Sequence, residues 1–171
     1  RRSLQVVQRN ARLLHRQVDN LLDLAKLDAG HMSVHYVQFD LAGLVRVFAS
    51  NFDTVAADRR IRYQLDCPEQ LTVQADVQKC ERVLLNLLSN AFKFVPDGGI
   101  VLLALRHEGD EIALEIRDSG PGIPEGMHET VFERFRQLDD GAERRVGGTG
   151  LGLSIVREFV TLQHGSVVVT R

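Results

Sequence analysis

Between residues 4 and 28 the apolar positions Leu4, Val7, Ala11, Leu14, Val18, Leu21 and Ala25 recur at alternating spacings of three and four. That is a heptad seam, and Leu22, Leu24 and Leu27 widen it into the stripe of a helix in a multi-helix bundle. One helix cannot bury such a stripe alone, so the pattern predicts partner helices, most simply a neighbouring helix and a second copy of the chain. The plainer alternative is a helix that packs only on its own domain. Gly30 stands where a C-cap is expected.

After Gly30 the period changes. Residues 34–39 alternate as a strand does, Asp40 is an expected N-cap, and 41–57 carries apolar residues at helical spacing. Residues 61–66 and 71–74 read as short strands separated by Pro68, and Asp76 opens a helix running to about Val95. Residues 100–106 and 111–117 form a hairpin around "HEGD", with Ile112, Leu114 and Ile116 inward and Glu111, Glu115 and Arg117 outward. A glycine-rich region, a helix over 151–162 and a last strand over 166–170 complete the pattern. Helices and strands mixed without strict alternation predict an α+β fold, a two-layer α/β sandwich with a mostly antiparallel sheet and helices on one face.

Composition narrows the function. Across 171 residues the formal net charge is −2 with acids and bases interspersed, which disfavours nucleic acid and acidic membrane surfaces as partners. Cys67 and Cys80 form neither a CxxC pair nor a dense framework, which fits a reducing, cytoplasmic setting. No apolar run is long enough for a membrane span, and "RRSLQVVQRN" has no signal-peptide core. A soluble piece without direct membrane contact is expected, whatever anchor a parent protein carries.

Three stretches hold candidate chemistry. In "ERVLLNLLSNAFKF" the positions Asn86, Asn90 and Lys93 fall within one narrow helical arc, with Leu84, Leu87, Leu88, Ala91 and Val95 opposite. Mid-helix asparagine costs roughly half a kcal/mol relative to alanine, so two on one face invite an explanation beyond a solvated surface. An amide oxygen is a hard, neutral ligand suited to Mg²⁺, and a lysine is a compact charge for phosphate. In "RDSGPGIP", Asp118 ends a strand, and Gly120 and Gly122 let backbone approach a flat group. A carboxylate there accepts from an exocyclic amino group and repels a carbonyl, which favours adenine over guanine; a plain tight turn is the bland alternative. The string "GGTGLGLSIV" lacks the Lys and Ser/Thr of a P-loop, and no strand precedes it as a dinucleotide fingerprint requires. What remains is a flexible segment feeding a helix N-terminus that can hold phosphates, with Thr149 adding a hydroxyl and Arg144 or Arg145 in reach.

In order, the helix with Asn86 and Asn90, Asp118-x-Gly120-x-Gly122, "VFERF" at 131–135 and "GGTGLGL" resemble the N, G1, F and G2 boxes of sensor histidine kinases. "LLDLAKLDAG" resembles the end of the second helix of that family's dimerisation and phosphoacceptor domain. The resemblance covers nearly the whole chain. It implies a Bergerat-type ATP-binding fold for 33–171 and a dimerisation helix for 1–32, with ATP and Mg²⁺ as cofactors. By the same resemblance Asn90 would bind Mg²⁺, Asn86 and Lys93 the phosphates, and Asp118 the adenine amino group, with Gly120, Gly122 and Ile123 against the base. Phe132 and Phe135 would anchor a lid over 136–148, and Arg145, Gly148, Thr149, Gly150, Leu151 and Gly152 would line the phosphate side. The implied partners are a phosphoacceptor helix of the same or a partner protomer and a response regulator receiver domain, in a homodimeric full-length protein.

Two departures matter. The family's acceptor histidine, with its acidic follower in a preceding helix, has no counterpart. His15, His31, His35 and His164 lack the acidic neighbour, while His107 and His128 have one in the wrong context. The chain is therefore expected to begin after the acceptor helix, and to bind nucleotide without phosphorylating itself. The family also adds one more strand after 166–170, so an unpaired sheet edge is expected. Gyrase-type ATPases of the same fold activate water with a glutamate where this chain has Asn86, which disfavours hydrolysis; a non-catalytic nucleotide-binding module is the other alternative.

Overall fold

In the computed structural model the described residues are 2–137 and 149–170, and within the first helix the described side chains begin at Ala11 and omit positions 12, 13, 15 and 16. The heptad seam folds as one long helix, α1 (Arg2–Asp28). Gly30, at φ +67°, ends it as expected. The His31 N–H donates to Lys26 O at 2.9 Å and the Gly30 N–H to Leu27 O at 3.0 Å, which is the paired closure of a Schellman cap.

Among the described residues five strands form two sheets. β1 (Val37–Asp40) pairs antiparallel with β3 (Thr72–Ala75). In the larger sheet, β4 (Ile100–Glu108) is central, parallel to β2 (Arg62–Asp66) and antiparallel to β5 (Glu111–Asp118). The hairpin closes with Glu108 opposite Glu111, and Gly109 at φ +64° takes the left-handed turn position that a two-residue loop demands. At its tip Ile112 is exposed rather than inward, because the helical layer does not reach that far.

Two of the expected elements differ. The helix expected over 41–57 is two, α2 (Leu41–Ser50) and α3 (Asp53–Asp58). The Asn51 and Phe52 N–H groups donate three residues back, to Phe48 O and Ala49 O, and the Ser50 hydroxyl donates to Val47 O at 2.9 Å. Polar residues that bond locally tighten and end the helix there, although the apolar spacing continues. The strand expected over 166–170 lies outside any strand. Alternation makes a strand only where a neighbouring edge supplies its ladder bonds, and none of the described strands pairs with it.

The helix α4 (Val77–Phe94) lies between two apolar clusters. On the sheet side Leu84, Leu88, Ala91, Phe92 and Val95 pack with Val45 and Ala49 of α2 and with Val101, Leu103 and Leu105, alternate residues of β4. On the other side Val83 and Leu87 meet Leu151, Ile155, Val156 and Phe159, where α5 (Gly152–Leu162) begins and runs. Leu87 thus belongs to the second cluster and not to the sheet-facing group, as its position on the flank of the helical wheel requires. The sequence places both N-caps correctly: Asp40 accepts from the Ala42 N–H at 3.1 Å and Asp76 from the Lys79 N–H at 3.1 Å.

Both ends of α4 are fixed. At its foot, the buried Lys79 ammonium donates to Asp76 Oδ2 at 2.8 Å and to Ser33 O at 2.6 Å, while the His35 N–H donates to the same carboxylate oxygen at 2.9 Å. Gln163, just past α5, accepts the Asp76 N–H at 2.7 Å. Burial alone would raise the Asp76 carboxyl, but the bonds from His35 and Lys79 outweigh it and hold the group below the usual carboxylate range. At the top, the Arg59 guanidinium donates to Phe92 O, to Val95 O at 2.6 Å and to Asp97 at 2.7 Å, satisfying carbonyls that a helix end leaves open.

α1 docks on this unit through one stripe. Asn20 and Leu24 are each 5% exposed; Arg82 of α4 donates to Asn20 at 2.9 Å and to Asp23 at 2.6 Å. Asp28 accepts from Arg134 at 2.7 Å. Leu14, Val18 and Leu21, from the heptad seam, point elsewhere and are more than half exposed at 61%, 53% and 52%. Among the described residues no helix is long and apolar enough to cross a membrane.

Candidate functional site

The polar face of α4 is where the predicted residues gather. Asn86, Asn90 and Lys93 are half-buried along it. The Asn86 side-chain amide donates to Arg82 O at 2.9 Å, one turn back, which fixes the rotation of the group and turns its oxygen outward. That oxygen faces Gly152: a Cβ added at Gly152 would lie 3.2 Å from Asn86 Oδ1 and 3.9 Å from Asn90 Nδ2. The first residue of α5 therefore sits against both amides. Lys93 stands with its ammonium 4.5 Å from the centroid of the Phe94 ring.

Asp118 reaches the same helix from the sheet. It is the last residue of β5, opposite Val101 in the ladder. Its Oδ1 accepts the Gly120 N–H at 2.8 Å, which starts the loop and leaves Oδ2 for another donor. A Cβ at Gly120 would meet Phe94 O at 3.1 Å, so this loop rests directly on the end of α4. Gly99, with Val95 on one side and the Ser119 hydroxyl on the other, has no room for a side chain either, and closes the gap between helix and strand. Gly122 takes φ +74°, a conformation that glycine adopts without strain. Asn86 and Asn90 lie eight and four residues before Phe94, so the Asp118 loop and the start of α5 are about 6–12 Å apart along one helix axis. One extended ligand can touch both.

The α5 N-terminus suits an anion. Leu151, in the N-cap position, makes no side-chain capping bond, and Ile155 is the residue whose N–H donates back to Leu151 O at 3.0 Å. The N–H groups of the first turn thus remain for a ligand, at the positive end of the helix dipole. Leu151 itself is 1% exposed, its side chain packed within the second cluster. Thr149 and Gly150 are half-buried at this entrance.

Of the two aromatic anchors, Phe132 is buried, with the Arg157 guanidinium 4.7 Å above its ring and Arg157 paired to Glu129 at 2.7 Å. Phe135 is 64% exposed among the described residues and holds a left-handed backbone at φ +62°. Its N–H donates to Gly150 O at 3.0 Å, and a Cβ at Gly150 would fall 2.6 Å from Phe135 C and 2.7 Å from Arg136 O. Only glycine fits there, so the two ends of the 136–148 segment are fastened backbone to backbone. Arg145 and Gly148, with Arg144, lie outside the described residues.

Sequence reasoning missed the residues that hold this site from behind. Arg82 supplies the carbonyl for Asn86, and Arg134 joins the base of the 136–148 segment to Asp28 of α1 and, at 3.7 Å, to Glu158 of α5. Spacing carries no trace of a partner 106 residues away; the arginine in "VFERF" was visible, its partner was not.

Comparison with known proteins agrees with this arrangement. A family model described as "Histidine kinase-, DNA gyrase B-, and HSP90-like ATPase" matches residues 75–171. Sensor histidine kinase TmoS of Ectopseudomonas mendocina is 48% identical over 99% of this chain, which spans 18% of that protein. Hybrid signal transduction histidine kinase D of Dictyostelium discoideum is 43% identical over 99% of this chain, which spans 11% of it. The chain is thus less than a fifth of the length of these curated relatives. Among solved structures, full-length ShkA in complex with AMPPNP superposes with a TM-score of 0.79 at 28% identity, over 98% of this chain and 35% of that one. With the family model covering more than half of its residues and with the α+β layering, amide-bearing helix and glycine loops in place, the chain belongs to the histidine kinase-, DNA gyrase B- and HSP90-like ATPase family.

Proposed function

We propose that this chain is the ATP-binding catalytic portion of a two-component sensor histidine kinase, and that it presents the terminal phosphoryl group of ATP to a histidine outside residues 1–171. The observation that carries the reading is the contact of Gly152 with both Asn86 and Asn90 while Gly120 rests on Phe94, one to two turns along. The span from Asp118 to the α5 N-terminus then accepts one nucleotide: base at the Gly120–Ile123 loop, phosphates at the first turn of α5. The Asp118 carboxylate accepts from the adenine amino group, and Thr149 offers a hydroxyl to the phosphate end.

Asn90 is the residue that would hold Mg²⁺. The fit is chemical: its amide oxygen is hard and neutral, and phosphate oxygens and water would complete the shell, as Mg²⁺ favours. When bound, the ion neutralises charge on the phosphate oxygens. Asn86, fixed by Arg82 O, and the N–H groups of the α5 first turn orient the phosphates. Catalysis of this kind is positioning and charge stabilisation. Hydrolysis in the gyrase manner is disfavoured, because Asn86 cannot take a proton from water and its N–H is committed to Arg82 O.

The same reading assigns 33–171 to the nucleotide-binding domain and 1–32 to the second helix of a dimeric bundle, with Leu14, Val18 and Leu21 facing the partner helices and the docking stripe free of them. The phosphorylated histidine would then serve a response regulator receiver domain, and the setting is cytoplasmic. The test mixes this chain with labelled ATP, Mg²⁺ and a separate bundle protein carrying the acceptor histidine. Acid-labile, base-stable phosphate on that histidine is the expected result; release of free phosphate at the same rate with and without the acceptor would overturn the kinase assignment.

A further inference from the structure

The base-binding loop is held at two points. Its start is fixed by Asp118, which accepts the Gly120 N–H. Its end is fixed by a side chain five residues on, because the His128 imidazole Nε2 lies 2.9 Å from Ile123 O. A carbonyl oxygen only accepts, so the ring nitrogen facing it carries the proton and donates. The neutral ring is therefore the Nε2–H tautomer.

What stands behind His128 is rigid. Pro124, Glu125 and Met127 turn back in a short 3-10 turn, with the Met127 N–H donating to Pro124 O at 2.8 Å and the His128 N–H to Glu125 O at 3.3 Å. A second 3-10 turn follows at once, and it buries Val131 and Phe132. Glu129, next to His128, is paired with Arg157, whose guanidinium covers the Phe132 ring. The loop itself has no such support: Pro121, Gly122 and Pro124 are exposed, and a Cβ at Gly122 would meet nothing within 4 Å. A glycine at φ +74° in open space leaves the loop many conformations to lose.

We propose that His128 is a positioning residue for nucleotide binding: by holding Ile123 O it transfers the rigidity of the Val131–Phe132 anchor to the Gly122–Ile123 peptide against which the base lies. The inference rests on the nucleotide reading given above.

The test compares His128→Ala with His128→Gln, whose side-chain amide can supply a donor near the Nε2 position. Calorimetric titration with Mg²⁺ and AMPPNP is expected to show about fivefold weaker binding for the alanine variant, the equivalent of one net hydrogen bond. The glutamine variant is expected within about twofold of the parent chain, and both variants at the parent melting temperature. In the parent chain, nitrogen-15 spectra of the imidazole are expected to report the Nε2–H tautomer with or without nucleotide. Unchanged affinity in the alanine variant, equal losses in both variants, or a ring protonated at Nδ1 alone would overturn the proposal. A parent chain that binds no AMPPNP would instead overturn the nucleotide reading, and the ring nitrogens would still decide whether His128 holds the loop.

Discussion

The two flanks of α4 are built on opposite principles. Toward the sheet, Leu84, Leu88 and Val95 are at most 1% exposed and pack in a hydrophobic cluster. Toward the first residue of α5 and the Asp118 loop, the same helix shows amides and a lysine, and Gly152 and Gly120 approach it as backbone. The first flank gains stability by removing apolar surface from water. The second sets half-buried polar groups beside glycine backbone, the arrangement on which the proposed nucleotide site is built. One helix thus carries both the fold and the site, and the two can be separated by mutation.

The largest effect is expected at the foot of the helix. Asp76→Ala removes a cap, a buried ion partner and the acceptor for the His35 N–H, leaving the Lys79 ammonium without its charge partner; chemical denaturation should show a loss of about 3–5 kcal/mol. The pH dependence has a definite sign. The Asp76 carboxyl lies below its usual range when folded, so its contribution is present above the unfolded carboxylate value, about 3.9, and is lost as pH falls through the lower folded value. The gap between parent and variant should accordingly close in acid. Leu88→Ala, at a position that is 0% exposed, is next, with a loss of about 3 kcal/mol and no change in nucleotide affinity at temperatures where the variant is folded.

Gly150→Ala tests the opposite flank. The left-handed backbone and the 2.6 Å approach to Phe135 C leave no place for a methyl group, so about 1–3 kcal/mol is expected, together with faster proteolysis within 136–148. Asn90→Ala is the smallest in stability and the most informative. Replacing a mid-helix asparagine by alanine should leave the fold as stable or raise it by about 0.5 kcal/mol, while the Mg²⁺-dependent part of nucleotide affinity falls. A stability loss as large as that of Leu88→Ala would break the comparison, because the amide would then belong to the fold.

The sequence made the local features legible and the long-range ones invisible. Asp40 and Asp76 were readable as caps because a cap is decided by its own next three residues, and the wheel of α4 was readable because apolar period and polar face are written in one segment. The break at Asn51 was not, since helical spacing of apolar residues runs through it and only the local bonds of Ser50, Asn51 and Phe52 end the helix. Nor was the parallel pairing of β2 with β4, which depends on α4 crossing between them. At the candidate site, Asn86, Asn90, Asp118 and the glycines were singled out by their chemistry and their order along the chain. Arg59, Arg82, His128 and Arg134 did not, because each acts through a carbonyl or carboxylate whose partner residue type carries no signal.

The central claim is that Asn90 and Asp118 serve one nucleotide along one helix, and calorimetry on the parent chain, Asn90→Ala, Asp118→Asn and the double variant tests it most directly. A single site for AMPPNP is expected in the parent chain, weakened by Asp118→Asn with or without Mg²⁺ and by Asn90→Ala only when Mg²⁺ is present, with the double variant weaker than either. Parent affinity retained in either single variant, or two independent sites each lost with one residue, would contradict it.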